Sequence, residues 1–197
     1  MEIGIVGTGF IAGVLGRALA TAGHDVTFGS RHPEEGDVAG GSGARVASVP
    51  AALTAGDVVV LALPGAAVAD LAAAHGELLA GALVVDATNR MGAPVANARA
   101  SLPDTVRYAR AFNTLGGEVM ARPVFEGRPA DMFFSAPEAD RPTVEALVAG
   151  VGLRPVYVGP DQEELLDCLF RLWVTLAVSQ GRGRRLALRL LDGDTDR

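Results

Sequence analysis

The fold is decided by the stretch Ile3-Gly4-Ile5-Val6-Gly7-Thr8-Gly9-Phe10-Ile11-Ala12, near the start of the chain. A short apolar run leads directly into a glycine-rich turn, and a helix-like segment, residues 13–22, follows it. A second short apolar run, residues 26–28, comes next. The order strand, glycine turn, helix, strand is typical of a βαβ unit, and the glycine spacing is the dinucleotide fingerprint with Ala in its last place. We therefore predict a dinucleotide site at the start of the chain.

Each small residue of the fingerprint has a physical role. Gly7 allows the tight turn out of the strand, and Gly9 lets a pyrophosphate approach the backbone. Ala12 lets the helix pack closely on the strand. The start of the helix offers free N–H groups and a partial positive charge to phosphates. The alternative is a purely structural glycine turn. The predicted cofactor contacts in this turn are Gly7, Thr8, Gly9, Phe10 and Ile11.

The end of the second strand indicates which dinucleotide is bound. An NAD site usually places Asp or Glu about 20 residues beyond the fingerprint, where the carboxylate binds the ribose 2′-OH. This chain has Gly29-Ser30-Arg31 there, and its next carboxylate is Glu34. A hydroxyl and a guanidinium suit a 2′-phosphate, because Arg forms charge-assisted bonds to phosphate. We therefore predict NADP(H), bound through Ser30 and Arg31; the alternative is a solvated Arg in a polar loop.

Further apolar runs predict the rest of an α/β fold. Continuous apolar runs are typical of parallel strands that are covered on both faces. We predict strands over 57–63, 82–86, 106–111, 131–135 and 154–158, and helices over 49–55, 66–80, 138–150 and 161–180. Asp161 is predicted as the N-cap of the last helix, with Glu164 completing a capping box. Residues 32–48 and 120–128 are predicted as loops.

The predicted architecture is a doubly wound, mainly parallel sheet of Rossmann type with a short C-terminal helical extension. Residues 1–160 form the NADP(H)-binding domain, and residues 161–197 form C-terminal helices that complete the same domain. An apolar segment, residues 186–191, follows the glycines near residue 182.

Open α/β sheets bind ligands at the carboxyl ends of their strands, and polar or rigid residues follow three predicted strand ends. Leu63 and Pro64 end one strand, and Pro64 forms either a wall beside the nicotinamide or a rigid turn. Asn89 and Asn113 follow the next two, where they hold the nicotinamide carboxamide or the acceptor, or serve only as turn residues. We predict cofactor contacts at Leu63, Pro64, Val68, Asn89 and Asn113.

Composition excludes several kinds of chemistry. All 17 basic residues are Arg, and the absence of Lys excludes a Schiff-base lysine, a Walker P-loop and a catalytic Tyr–Lys pair. The net charge of −6 argues against nucleic acid as a partner. One cysteine, Cys168, allows no internal disulfide, and no metal site is predicted. No signal or membrane segment is apparent, so we expect a cytoplasmic protein without a membrane partner.

Two features of the C-terminal part allow alternative interpretations. Phe170, Trp173 and Leu176 share one face of the last helix, as a core or dimer-interface stripe or as a wall for a flat ring ligand. Four arginines follow, either as a solvated face or as a patch that meets an anionic ligand tail: Arg182, Arg184, Arg185 and Arg189.

Motifs along the whole chain resemble the F420-dependent NADP oxidoreductases. The resemblance rests on Gly7-Thr8-Gly9, Gly23-His24-Asp25-Val26, Gly29-Ser30-Arg31, Leu63-Pro64, Gly152-Leu153-Arg154-Pro155 and Gly181-Arg182-Gly183. The turn Ala111-Phe112-Asn113-Thr114 is closer to bacterial members of the wider group and to the reductase domain of the STEAP ferric reductases. Archaeal F420 enzymes carry His where this turn has Asn113.

The resemblance implies hydride transfer between C4 of the nicotinamide and C5 of a deazaflavin, with coenzyme F420 as the first expected acceptor and a flavin as the second. Such a transfer needs no acid or base, so no catalytic residue is assigned. Two alternatives stay open. One is an NADPH-dependent reductase of a small imine or carbonyl compound, with water, Thr88, Thr114 or a residue of a partner chain as proton donor. The other is a non-catalytic NADP(H)-binding redox sensor.

Length limits where the acceptor site can lie. About 37 residues follow Pro160, whereas many relatives add a helical domain of roughly a hundred residues. We expect the acceptor site to form from the loops near Asn89 and Asn113, the last helices and a second subunit. A homodimer is therefore expected. The sequence leaves open the identity of the acceptor and the direction of the reaction.

Overall fold

The computed structural model describes residues 1–34, 38–93 and 96–191. The last six residues of the predicted C-terminal extension, 192–197, lie outside the described residues.

In the described part of the chain, six parallel strands form the main sheet. They are β1 (Glu2–Val6), β2 (Asp25–Ser30), β3 (Arg45–Ser48), β4 (Val58–Leu61), β5 (Leu83–Asp86) and β6 (Arg107–Arg110). Their order in the sheet is β3-β2-β1-β4-β5-β6, and Ile5 at its centre pairs with Phe28 and Val60. The chain winds outward from β1 in one direction and from β4 in the other. This is the order of a Rossmann fold, with its switch point between β1 and β4. The predicted fold class is confirmed.

Helices cover both faces of the sheet. They are α1 (Phe10–Thr21), α2 (Val49–Leu53), α3 (Val68–His75), α4 (Gly117–Met120), α5 (Arg141–Gly150) and α6 (Glu163–Val174). Alternate residues of a strand point to opposite faces, so the sheet has two cores. Val60 packs with α1 and α5 on one face, and Val59 packs with α3 on the other.

A second pair of strands extends the sheet beyond β6. Strands β9 (Asp131–Phe134) and β10 (Arg154–Tyr157) are parallel to each other. An antiparallel bridge joins them to β6: the Arg110 N–H donates to the Ser135 carbonyl at 2.8 Å, and the Ser135 N–H donates back at 3.0 Å. The sheet is therefore mainly but not wholly parallel, as predicted.

Three short elements differ from the prediction. Part of the predicted loop 32–48 is the edge strand β3, whose half-exposed, polar sequence lacks the apolar run of a central strand. The predicted loop 120–128 ends in a small hairpin of β7 (Val124–Phe125) and β8 (Arg128–Pro129). Helix α4 was not predicted, since four residues give no periodicity.

Over its described residues, 161–191, the C-terminal extension contains one helix where we predicted more than one. Asp161 has a left-handed φ of 55°, and Gln162 precedes α6 without a side-chain cap, so the predicted capping box is wrong. A π-helical turn, Thr175–Ser179, continues α6. Residues 182–191 then run without regular secondary structure. We call this segment the C-terminal strap.

Side chains outside the strap hold it in place. Their hydrogen bonds to the strap backbone replace those that a helix would form within itself. The indole of Trp173 donates to the Leu186 carbonyl at 2.8 Å. The fully buried Asp131 accepts from the Leu190 N–H, and Arg154 donates to the Leu190 carbonyl at 2.8 Å.

Candidate cofactor site

A cavity of about 1140 Å³ opens at the carboxyl ends of β1, β2, β4 and β5. Ten of the twelve predicted contact residues line it: Gly7, Thr8, Gly9, Phe10, Ile11, Ser30, Arg31, Leu63, Pro64 and Asn89. Strand ends on both sides of the switch point deliver these residues to one place. The cavity therefore lies where the Rossmann topology predicts a dinucleotide.

The fingerprint turn leaves space for a phosphate beside its backbone. Gly7 has a φ of 128°, and a Cβ there would lie 2.3 Å from the Ala62 carbonyl oxygen, so only glycine fits. A Cβ on Gly9 would meet nothing within 4 Å, which leaves that backbone open to a ligand. Helix α1 begins with no side-chain cap and no acidic residue in its first turn. Its free N–H groups and partial positive charge suit an anion.

An arginine at the end of β2 lines the cavity. Ser30 is buried, and its hydroxyl oxygen accepts a hydrogen bond from the His32 N–H at 3.0 Å. Arg31 is exposed and lines the cavity. The lining carboxylate among the described residues is Asp70, which belongs to α3 and not to the end of β2. This arrangement supplies a cation where an NAD site would have an acid.

Sequence reasoning missed the two walls on the Arg31 side. Helix α2 and the residue before it contribute one wall, formed by Ser48, Val49 and Pro50. Helix α3 and its preceding turn contribute the other, formed by Ala67, Asp70, Leu71, Ala74 and His75. The helical spacing of this second set was visible in the sequence. Nothing in the sequence showed that this face of the helix would point to the cavity.

On the β5 side the lining is mostly apolar or carries carboxamide and hydroxyl groups. Leu63 and Pro64 come from the end of β4, and Ala87, Thr88 and Asn89 come from the end of β5. Pro64 accepts a hydrogen bond from the Ala67 N–H at 2.8 Å and so begins the 3-10 turn Gly65–Ala67. The rigid-turn and cavity-wall interpretations of Pro64 therefore hold together.

The two predicted asparagines differ in position. Asn89 is half-buried; its amide nitrogen donates to the Asn113 carbonyl at 2.8 Å, and its amide oxygen accepts from Arg110 at 3.1 Å. Asn113 is buried and does not line the cavity; its amide nitrogen lies 3.4 Å from the Leu166 carbonyl oxygen. Val68 is fully buried in the core on the α3 face and does not line the cavity either.

A buried ionic network holds the ends of β5 and β6 in place. Arg110 is fully buried and lies 3.1 Å from the Asp86 carboxylate and 2.9 Å from the Asp167 carboxylate of α6. Backbone N–H groups also bind these acids: Ala98 donates to Asp86 and Ala96 to Asp167, both at 2.8 Å. Burial disfavours isolated charges, so this pairing is essential to the site's geometry. The signal in the sequence was weak: Arg110 falls within the predicted strand 106–111, as Arg107 also does.

Tyr108 joins this network from β6. Its hydroxyl donates to Asp86 at 2.7 Å. Burial, followed by the charge of Asp86, raises the pKa of Tyr108 far above its ordinary value. The phenol therefore stays protonated and acts as a hydrogen-bond donor, not as a base.

Thr88 lines the cavity and carries a buried hydroxyl without a partner. Its backbone is fixed, since its N–H donates to Asp86 at 2.8 Å and its carbonyl accepts from Arg110 at 2.5 Å. The residue is 2% exposed and lines the cavity, yet its Oγ1 has no hydrogen-bond partner. A buried hydroxyl without a partner is costly, so rotation of this side chain to donate to a bound ligand would recover that cost. Thr88 was considered from the sequence only as a proton donor.

The described residues contain no group of His, Cys, Asp and Glu side chains that could hold a metal ion. Within the same part of the chain, no helix combines the length and apolar character that a membrane crossing needs.

Residues 2–90, which carry the fingerprint and the strands up to β5, match the family model of coenzyme F420-dependent NADP oxidoreductases. The predicted family resemblance is confirmed. This match also confirms the predicted enzyme class, an NADP-dependent oxidoreductase. No curated protein matches the chain in sequence.

Solved structures share the fold over nearly the whole chain. A proposed F420-dependent NADP reductase from Arthrobacter sp. FB24 is 22% identical, with a TM-score of 0.81, and the match covers 98% of this chain and 100% of that one. A hypothetical protein from Sinorhizobium meliloti is 25% identical, with a TM-score of 0.68 over 98% of this chain and 96% of its own.

A longer protein also matches. A reductive aminase from Aspergillus terreus, solved with NADPH and ethyl-5-oxohexanoate, is 24% identical, with a TM-score of 0.69. The match covers 91% of this chain but 62% of the aminase. This chain therefore spans less than two thirds of that relative, and the likeness concerns the fold.

Proposed function

We propose that this protein transfers a hydride between NADP(H) and a flat ring acceptor, coenzyme F420 in the first place and a flavin in the second. The observation that carries the proposal is the lining of the cavity at the ends of β4 and β5. The strand ends there supply Leu63, Pro64, Ala87, Thr88 and Asn89, and none of these side chains is an acid or a base. Hydride transfer between two ring systems needs orientation and exclusion of water, not proton transfer.

The chain's own residues would bind and orient the cofactor in a definite order along the cavity. The start of α1 would bind the pyrophosphate, because its free N–H groups face the open space beside Gly9. Arg31 would bind the 2′-phosphate. Leu63 and Pro64 would form an apolar wall at the nicotinamide, which when bound supplies the hydride. The Arg110 network would hold Asn89 in one orientation beside it.

The experiment is to mix the purified protein with NADPH and oxidised F420 and follow the visible absorbance of the deazaflavin. We expect NADPH to lower that absorbance and NADH to lower it much less. FMN and FAD are tested as acceptors in parallel. Gly9→Val is the matched control, because its added side chain enters open space and should spare the fold while blocking the pyrophosphate. Circular dichroism checks that the control is folded. NADPH binding with no change in F420, FMN or FAD would overturn the proposal.

The unpartnered Thr88 hydroxyl supports a second candidate, an NADPH-dependent reductase of a small imine or carbonyl compound. Because Thr88 lines the cavity, rotation of its side chain would let the hydroxyl form the hydrogen bond that such a substrate needs. Oxidation of NADPH by a cyclic imine or a ketone, in the absence of any change in the deazaflavin, would favour this reaction. Binding of NADPH without turnover of any acceptor would instead favour the redox sensor.

A further inference from the structure

We infer that Arg184 of the C-terminal strap determines acceptor specificity by binding a phosphate or carboxylate of the hydride acceptor. This inference rests on the proposed function, since it concerns the second substrate of that same site. Arg184 is the strap residue that lines the cavity in the described part of the chain.

The strap fixes the position of Arg184. Its neighbour Arg185 donates to the Arg122 carbonyl at 2.8 Å and to the Val124 carbonyl at 3.0 Å. Arg189 donates to the Pro129 carbonyl at 2.9 Å. The guanidinium groups of these two arginines, which follow Arg184 in the chain, bind backbone carbonyls of residues 122–129. Before Arg184, the Gly183 N–H donates to the Ala177 carbonyl at 3.0 Å, so contacts on both sides hold Arg184 in place. The arginines after α6 are therefore not one uniform basic patch.

The guanidinium of Arg184 is held in one orientation, but some of its N–H donors have no acceptor in the described residues. Its Nε donates to the Glu118 carboxylate at 2.7 Å, and its Cζ lies 5.6 Å from the centre of the Trp173 ring. Its two terminal nitrogens have no hydrogen-bond partner in the described residues, and 54% of its side chain is exposed. Terminal guanidinium nitrogens match the two oxygens of a phosphate or carboxylate. The terminal nitrogens of Arg184 are therefore available to bind an anionic ligand.

Arg184 lies with the residues that follow β6. A Cβ on Gly116 would lie 2.7 Å from the Arg184 carbonyl oxygen, and Glu118 belongs to α4. Helix α4 packs on the start of α1, since a Cβ on Gly117 would lie 2.5 Å from the Phe10 ring. Because Arg31 and the start of α1 account for the phosphates of the cofactor in the proposed function, we assign Arg184 to the acceptor.

The charge of Glu118 determines how Arg184 would recognise an anion. Glu118 keeps a negative charge: burial acts to raise its pKa, but the hydrogen bond and charge of Arg184, with a backbone N–H, lower the pKa below its ordinary value. The resulting ion pair orients the guanidinium. An acceptor anion would then be recognised by directed hydrogen bonds from the terminal nitrogens, with little help from net charge.

The test compares two acceptors that differ in one phosphate, 5-deaza-FMN and 5-deazariboflavin. Their binding to the complex of the protein with NADP+ is measured by fluorescence titration at constant ionic strength. The wild type should bind 5-deaza-FMN at least 10-fold more tightly, and Arg184→Gln should reduce this preference below 3-fold by weakening 5-deaza-FMN alone. Arg182→Gln is the matched control, because Arg182 is an exposed strap arginine that does not line the cavity.

Three results would overturn the inference. The first is the absence of any preference in the wild type. The second is an equal loss for both deazaflavins in Arg184→Gln, which would mean that Arg184 only supports the strap. The third is a loss of NADP+ affinity as large as the loss for 5-deaza-FMN, which would assign Arg184 to the cofactor. Turnover is scored separately: if neither deazaflavin is reduced by NADPH, the proposed function fails, while the binding preference still decides the role of Arg184.

Discussion

At the scale of single residues, the choice between NADP(H) and NAD(H) rests on Arg31. Arg31 lines the cavity at the end of β2, and the lining carboxylate among the described residues, Asp70, comes from α3 instead. Replacing Arg31 with Ala should weaken NADPH binding about 10- to 100-fold and hardly change NADH binding, because charge-assisted hydrogen bonds to the 2′-phosphate are lost. Isothermal titration with both cofactors measures this. Arg45→Ala, which removes an exposed arginine paired with Asp25, is the control. Equal losses for both cofactors would show that Arg31 does not bind the 2′-phosphate.

Thr88 allows stability and activity to be separated. Its hydroxyl is buried without a partner, so Thr88→Val removes an unsatisfied polar group and should leave the melting temperature unchanged or raise it. The same change should lower turnover roughly 2- to 10-fold, since one hydrogen bond to the bound ligand is lost. Thr88→Ser retains the hydroxyl and should retain most activity. Scanning calorimetry and steady-state kinetics test the pair; a fully active Thr88→Val would mean that the hydroxyl does not contact the ligand.

At the scale of elements, one acid attaches α6 to the sheet. Asp167 is buried and accepts from Arg110 and from two backbone N–H groups. Asp167→Ala would leave the Arg110 charge partly unpaired, and we expect a loss of about 3–5 kcal/mol in the free energy of unfolding. Urea denaturation measures it. Glu164→Ala, on the exposed side of the same helix, should cost less than about 0.5 kcal/mol. Similar losses of unfolding free energy in both variants would mean that the buried ionic network does not attach α6 to the sheet.

The strap should loosen in acid because Asp131 helps to hold it. Burial acts to raise the pKa of Asp131, but hydrogen bonds from Arg154 and the Leu190 N–H, with the charge of Arg154, lower it below its ordinary value. A lowered folded pKa gives stability that is complete above the unfolded value of about 3.9 and is lost as the pH falls through the folded pKa. The difference in unfolding free energy between wild type and Asp131→Asn should therefore shrink between pH 5.5 and pH 3. A difference independent of pH would contradict this assignment.

At the scale of the whole molecule, the sequence predicted the sheet better than the cavity. Apolar runs reveal central strands such as β4 because burial on both faces requires continuous hydrophobicity. The edge strand β3 and the strap escaped prediction, since long-range contacts hold them. Trp173 and Asp131, for example, bind strap residues 13 and 59 positions away along the chain.

In the site, too, residues in local motifs were predicted and residues placed by long-range packing were not. Contacts carried by the fingerprint turn are local, so spacing predicts that Gly9 faces the cavity. Asn113 follows a strand end as Asn89 does, yet its side chain turns into the protein beneath α6. Such a difference depends on how α6 packs, which one sequence does not reveal. The homodimer remains a prediction, which the molar mass of the protein in solution would test.

Cofactor binding should stabilise the molecule as a whole, because the cavity is built from both halves of the sheet. NADPH at 100 times its Kd would add about 2.7 kcal/mol to the free energy of unfolding. For a chain of this size, about 2–4 °C per kcal/mol gives a rise in Tm of roughly 5–11 °C. NADH at the same concentration, binding 10- to 100-fold more weakly, would add only about 0.4–1.4 kcal/mol. Differential scanning fluorimetry compares the two, and Arg31→Ala should bring the NADPH shift down to that of NADH. Equal shifts for both cofactors in the wild type would mean that the cavity does not distinguish the 2′-phosphate.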